Sequence, residues 1–189
     1  MARVAAYFGL DVKVGLFEPS DWEAASFDVV TMDQVIEHVA RPADILNGIH
    51  RVLKPGGTLV VATPNANGWG ARLFRSRWIH WHAPYHVQFF TPASMARLAS
   101  QTGFRVERRA VVTNPAWLDF QWGHLSTYPR QGERSPYWTP GMARTLRQRV
   151  ALKLLSVVDR LGLNVMFTRL MDAMQVGDNA VYVLRKDAG

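Results

Sequence analysis

Four histidines, His38, His80, His82 and His86, are the residues in this sequence best suited to moving protons near neutral pH. Three of them stand among tryptophans, phenylalanines and tyrosines between residues 66 and 90: Trp69, Trp78, Trp81, Tyr85, Phe89 and Phe90. Arg72, Arg75 and Arg77 lie in the same stretch, which contains no acidic residue. That mixture suits closure of a core, an anionic or aromatic ligand, a membrane surface where Trp and Arg both anchor, or stacked RNA bases. The chain has no cysteine, which excludes a thiol nucleophile, cysteine-ligated zinc and disulfides. Lys and Arg number 22 against 15 Asp and Glu, for a net charge of +7. A positive field of that size attracts anions without choosing among them.

Those residues need a scaffold, and 189 residues are enough for one compact domain with its own core. Residues 2–8 read as a helix end closed by Gly9, and Leu10–Gly15 as a short strand. Phe27–Met32 and Thr58–Thr63 are near-continuous apolar runs, as in strands covered on both faces. Between them, Ile45, Leu46, Ile49, Val52 and Leu53 recur with a helical period over residues 42–54. Pro42 and Asp44 suit the start of that helix, and Lys54-Pro55-Gly56-Gly57 its end. Residues 66–90 read as a long loop. Thr91-Pro92 caps and opens a helix that Gly103 stops, and residues 104–112 form a strand. Residues 113–140, with four prolines, read as irregular. Residues 141–175 give one or two amphipathic helices broken near Gly162, and residues 179–185 a last strand. Strands alternating with helices indicate an α/β fold with a largely parallel sheet.

The run Phe27-Asp28-Val29-Val30-Thr31-Met32-Asp33-Gln34-Val35-Ile36-Glu37-His38-Val39 resembles the fourth strand and following turn of class I S-adenosylmethionine-dependent methyltransferases. Arg51-Val52-Leu53-Lys54-Pro55-Gly56-Gly57-Thr58-Leu59 resembles their next helix end and strand. Pro64-Asn65, the stretch from His86 to Thr91 and Gly103-Phe104 continue the pattern in order. The similarity is greatest to the branch containing ubiquinone-biosynthesis O-methyltransferases. It implies a Rossmann-like class I methyltransferase sheet lacking its first strands, with helices on both faces and an added C-terminal helical segment. It divides the chain into a partial core (1–112), an acceptor or lid insertion (113–175) and a final core strand (176–189).

The resemblance also implies S-adenosylmethionine as cofactor. Leu16, Phe17 and Glu18 would lie near its adenine, and Met32, Asp33 and Gln34 near its methionine end, because ligands of open α/β sheets sit at the carboxyl ends of strands. His86, in the family's acceptor region, and His38, after the cofactor-facing turn, become the expected catalytic residues. The reaction implied is methyl transfer to a small molecule, on oxygen. Quinone-pathway relatives hold a metal through two acidic residues and a histidine on this turn. Glu37 and His38 match that set, but Gln34 stands three places before Glu37, with Asp33 one place earlier as the substitute, so no metal is expected.

The family's Gly-x-Gly cofactor loop and its ribose-binding acid have no counterpart here. Gly68-Trp69-Gly70 stands alone and reads as loop flexibility. The sequence therefore reads as truncated at its N-terminus, and the chain by itself is expected to bind S-adenosylmethionine weakly or not at all. The alternative is a non-catalytic remnant that serves as a binding or interaction protein. Without an apolar leader or an apolar run of membrane-spanning length, a cytoplasmic location is expected. The basic amphipathic pattern of residues 141–175 either packs on its own domain or contacts an anionic membrane. No nucleic-acid motif is present.

Overall fold

A computed structural model describes residues 7–9, 11–130, 133–137, 139 and 141–187. In chain order it contains β1 (Phe27–Asp33), α1 (Pro42–Val52), β2 (Leu53–Pro64), α2 (Trp69–Phe74), α3 (Pro92–Gln101), β3 (Phe104–Val111), α4 (Pro115–Ser126), α5 (Leu146–Arg160), α6 (Leu163–Ala173) and β4 (Asn179–Lys186). The sheet has the order β1-β2-β4-β3. β1 and β2 are parallel, and β4 runs antiparallel to both β2 and β3. Three strands therefore share one direction, and β4 is reversed between two of them.

Alternation along β2 and β4 sets the core. Leu59, Val61, Ala180, Tyr182 and Leu184 form one buried face under Leu46 and Ile49 of α1 and Met95, Leu98 and Ala99 of α3. Each Leu, Ile, Val or Met among them contributes about 1.5–3 kcal/mol when fully removed from water. The ends of α3 follow its sequence. Thr91 and Ser94 exchange hydrogen bonds in a capping box, and Gly103 takes φ +77°. α1 ends two residues earlier than its periodicity suggests, because Leu53 and Lys54 already belong to β2.

Four readings need correction. No strand forms over residues 11–15; the segment is exposed, and among the described residues no neighbouring strand offers its backbone groups a partner. β1 is not covered on both faces: Val29 and Thr31 are exposed on one face, while Met32 is buried on the other. The stretch 66–90 is not one loop, since it holds α2 and two 3-10 turns, Arg75–Arg77 and Ile79–Trp81. The stretch 113–140 is not irregular throughout: Pro115 opens α4 rather than breaking it, and the Asn114 side chain accepts a hydrogen bond from the Ala116 N–H. The helix end expected over residues 2–8 lies mostly outside the described residues.

Candidate functional site

The parallel strands end at one edge of the sheet, and β4 begins there, with Asn179 opposite Pro64. At that edge β1 turns sharply. Gln34 adopts φ +53°, its N–H donates to the Ala62 carbonyl at 3.0 Å, and its side-chain amide donates to Asn179 Oδ1 at 2.9 Å. The chain then makes a 3-10 turn, Ile36–His38, which buries Ile36 and Glu37 and leaves His38 exposed. The Glu37 carbonyl accepts hydrogen bonds from the Val87 and Gln88 N–H groups at 2.9 and 3.1 Å. This backbone link holds the His86 segment against the turn after β1.

The two expected catalytic histidines meet there. Their ring centroids are 4.6 Å apart. His86 Nδ1 lies 2.7 Å from the His80 carbonyl, and His38 Nδ1 lies 3.0 Å from the Tyr85 carbonyl. A carbonyl can only accept, so in each ring Nδ1 carries the hydrogen and donates. In His86 burial is the main influence and lowers the pKa, against the raising effect of the His80 carbonyl; His38 and His82 lower it further. The ring is then neutral at neutral pH, with Nε2 free to take a proton. His80 is buried and held at about 3 by desolvation and by His86 and His82, so it acts as a neutral support.

Glu37 is the unexpected member of the cluster. It is 1% exposed, and one of its carboxyl oxygens accepts from Thr63 Oγ1 at 3.0 Å. The other oxygen has no hydrogen-bond partner among the described residues. Desolvation raises its pKa, against its own backbone, Thr63 and His38, which lower it. Glu37, His38 and His86 offer ligand atoms within 4.8 Å of one another. One carboxylate and two imidazoles are a donor set able to hold a divalent ion.

These groups line a cavity of about 660 Å³, within the range of small-molecule sites. Most of its remaining wall is aromatic: Trp78, Trp81, Trp117, Phe120 and Tyr128, with His80, His82 and His124. Buried Gln121 positions α4 against the 3-10 turns. Its amide donates to the Arg77 carbonyl at 3.0 Å, and its oxygen accepts from the Ile79 N–H at 2.8 Å. Trp117, Phe120 and His124 follow one another at helical spacing on α4 and so reach the cavity together.

Of the six residues expected at the cofactor, Gln34 alone lines this cavity. Asp33 is exposed at the end of β1, and Met32 is buried in the core. Phe17 packs against the core, Leu16 is exposed, and Glu18 is exposed at the head of a 3-10 turn, Pro19–Asp21. Trp117, Phe120 and His124 on α4, and Tyr128 just after it, fall in the proline-rich stretch 113–140 that gives no helical stripe. The Asn114-Pro115 pair was the available signal. Gly68-Trp69-Gly70 is no flexible loop either. Gly70 lies inside α2, where its N–H donates to buried Asp178 Oδ1 at 2.9 Å.

Residues 3–109, more than half of the chain, match a family model described as a methyltransferase domain. A ubiquinone biosynthesis O-methyltransferase of Ruegeria pomeroyi is 36% identical over 104 residues, covering 51% of this chain and 41% of that protein. One of Thiobacillus denitrificans is 32% identical over 126 residues, covering 61% and 54%. The chain thus spans about half the length of the curated relatives it matches. The crystal structure of an S-adenosylmethionine-dependent methyltransferase of Thermotoga maritima, a possible histamine N-methyltransferase, superposes with TM-score 0.55 at 19% identity. It covers 99% of this chain and 69% of that one.

Proposed function

The chain belongs to the class I S-adenosylmethionine-dependent methyltransferase family, and from that premise we propose that the whole protein transfers a methyl group to an oxygen of a small-molecule acceptor bound in the aromatic cavity. One observation carries the reading: a neutral histidine with a free Nε2 and a buried carboxylate share one cavity with the turn after β1. The names of the two relatives, both O-methyltransferases, favour oxygen.

The residues present fit the methionine side of the cofactor at that edge, while its glycine loop and ribose-binding acid have no counterpart in this chain. The exposed carboxylate of Asp33 suits a cationic ligand, and the adjoining cavity has room for a second molecule beside it. Asp33 and Gln34 would hold its methionine end and Leu16 and Glu18 border its adenine, with Met32 and Phe17 backing them from the core. When bound, S-adenosylmethionine supplies an electrophilic methyl group on sulfur. The chain's own residues supply the rest. Trp117, Phe120 and Tyr128 orient a flat or apolar acceptor and exclude water. His86 Nε2 takes the acceptor's hydroxyl proton as the oxygen becomes a nucleophile. Its Nδ1–H, held by the His80 carbonyl, fixes the ring for that task. Positioning of this kind supplies about 7–11 kcal/mol of barrier reduction in favourable systems.

Incubation of the whole protein with radiolabelled S-adenosylmethionine and panels of quinone precursors, lipids and sugars tests the proposal. Label on a hydroxyl of one panel, lost in Trp117→Ala, is the expected result. Label appearing on protein or nucleic acid, with none on small molecules, refutes it.

A further inference from the structure

A helix that packs on its own domain needs one apolar face, and α5 has two. The inner one, Ala151, Leu152, Leu155 and Val158, is half-buried against α4 and α6. The outer one consists of Leu146, Val150, Leu154, Val157 and Leu161, which closes the helix. At 100° per residue these five fall within an arc of about 80°. Leu146, Leu154 and Leu161 are 70%, 63% and 67% exposed. The same arithmetic puts Arg149, Lys153 and Arg160 along one side of this row and Arg147 on the other. The one acid of the helix, Asp159, lies on the inner side, where it interacts with Asp119 of α4. α6 repeats the pattern with exposed Leu163, Met166, Leu170 and Met174 beside Arg169.

We propose that the outer face of α5 is a docking surface for an anionic lipid bilayer, with the helix lying in the plane of the headgroups. The charge arrangement selects this occupant. Arg and Lys flanking an apolar row keep their charged ends in the headgroup region while their stems and the row enter the acyl boundary. A second copy of the chain fits poorly, because a two-fold interface would set basic rows against each other with no acid on the face to pair them. At 15 residues the helix is about 22 Å long, too short and too charged to span a bilayer. No described helix is long and apolar enough to cross a membrane. The surface is independent of the cavity and would bring the protein to lipid-borne compounds or to a membrane-bound partner reaction.

Cosedimentation with vesicles tests the proposal, using phosphatidylcholine alone and phosphatidylcholine mixed with phosphatidylglycerol. The protein is expected to pellet with the anionic vesicles, less so as salt rises, and to stay in solution with phosphatidylcholine. Arg149→Gln and Lys153→Gln should each weaken binding about fivefold. The double variant Leu154→Gln with Val157→Gln should weaken it tenfold or more. Both of its positions are exposed, so its circular dichroism and melting temperature should match wild type. Wild type that ignores anionic vesicles, or folded variants that pellet as it does, overturns the proposal. So does a dimer in sedimentation equilibrium that the double variant dissolves, since a second copy would then own the face.

Discussion

Asp178 should make the protein less stable as pH rises through the weakly acidic range. It is 8% exposed, just before β4, and anchors α2 through the Gly70 N–H. Burial raises its pKa from 3.8 to about 6, aided by nearby Asp172 and opposed by the Gly70 hydrogen bond. A carboxyl group whose pKa is raised by folding holds its proton more tightly in the native state. Its favourable contribution is complete below pH 3.8, the unfolded value, and is lost as pH climbs through about 6. From 3.8 to about 6 is roughly two pH units, about 3 kcal/mol at 1.36 kcal/mol each. Asp178→Asn removes the ionisation. Other titrating groups, such as Glu37 and Asp119, are common to both proteins and cancel in the difference. Urea unfolding of wild type and variant across this range should show the variant gaining about 2.4 kcal/mol relative to wild type between pH 4 and pH 7. A constant offset from the altered amide is acceptable. A difference that stays flat within about 0.5 kcal/mol refutes the reasoning.

Glu37→Gln should leave stability at pH 8 equal or higher, because it removes a desolvated carboxylate, yet lower turnover about ten- to a hundredfold if the free oxygen grips the acceptor; unchanged turnover contradicts that role. The acid limb of kcat/KM should have its midpoint below pH 6.5, since burial lowers the pKa of His86, and a midpoint above 6.5 points to a different base. Gly70→Ala should cost about 1–3 kcal/mol in thermal or urea unfolding, because its Cβ would fall 2.7 Å from Asp178 Oδ1. A rise in stability, as helix propensity alone would give, would show that the contact relaxes freely.

The parts of the fold that follow local rules were legible from the chain. α3 lies between a Thr-Pro start and a glycine stop, and α1 carries one apolar face, so both were readable near their true ends. β1 and β2 are legible as apolar runs and β3 and β4 as strands, but whether a run is covered on both faces depends on what packs over it, and one face of β1 is exposed. The segment Leu10–Gly15 has strand composition without a strand beside it over its described residues. α4 escaped notice because it has two apolar faces: Leu118 is buried, while Trp117 and Phe120 line the cavity. No single amphipathic stripe results. At the site, the family resemblance pointed to His38 and His86, and the structure brings them together. Glu37 entered that reading only as a metal-ligand match, because its burial and its bond to Thr63 arise from β2, far along the chain.

Turnover and cofactor affinity of the whole protein, measured on the single variant His86→Ala, test the proposed reaction most directly. His86 comes from the segment after β2, away from residues 16–18 and the end of β1 at 32–34 assigned to the cofactor. A group that takes the acceptor's proton acts on the transition state, so its loss should lower kcat about a hundredfold or more. Affinity for S-adenosylmethionine, measured by calorimetry, should change by no more than about twofold. A folded His86→Ala protein with wild-type kcat, or one whose melting temperature falls while activity per folded molecule holds, would contradict the catalytic role and leave His86 a structural pin.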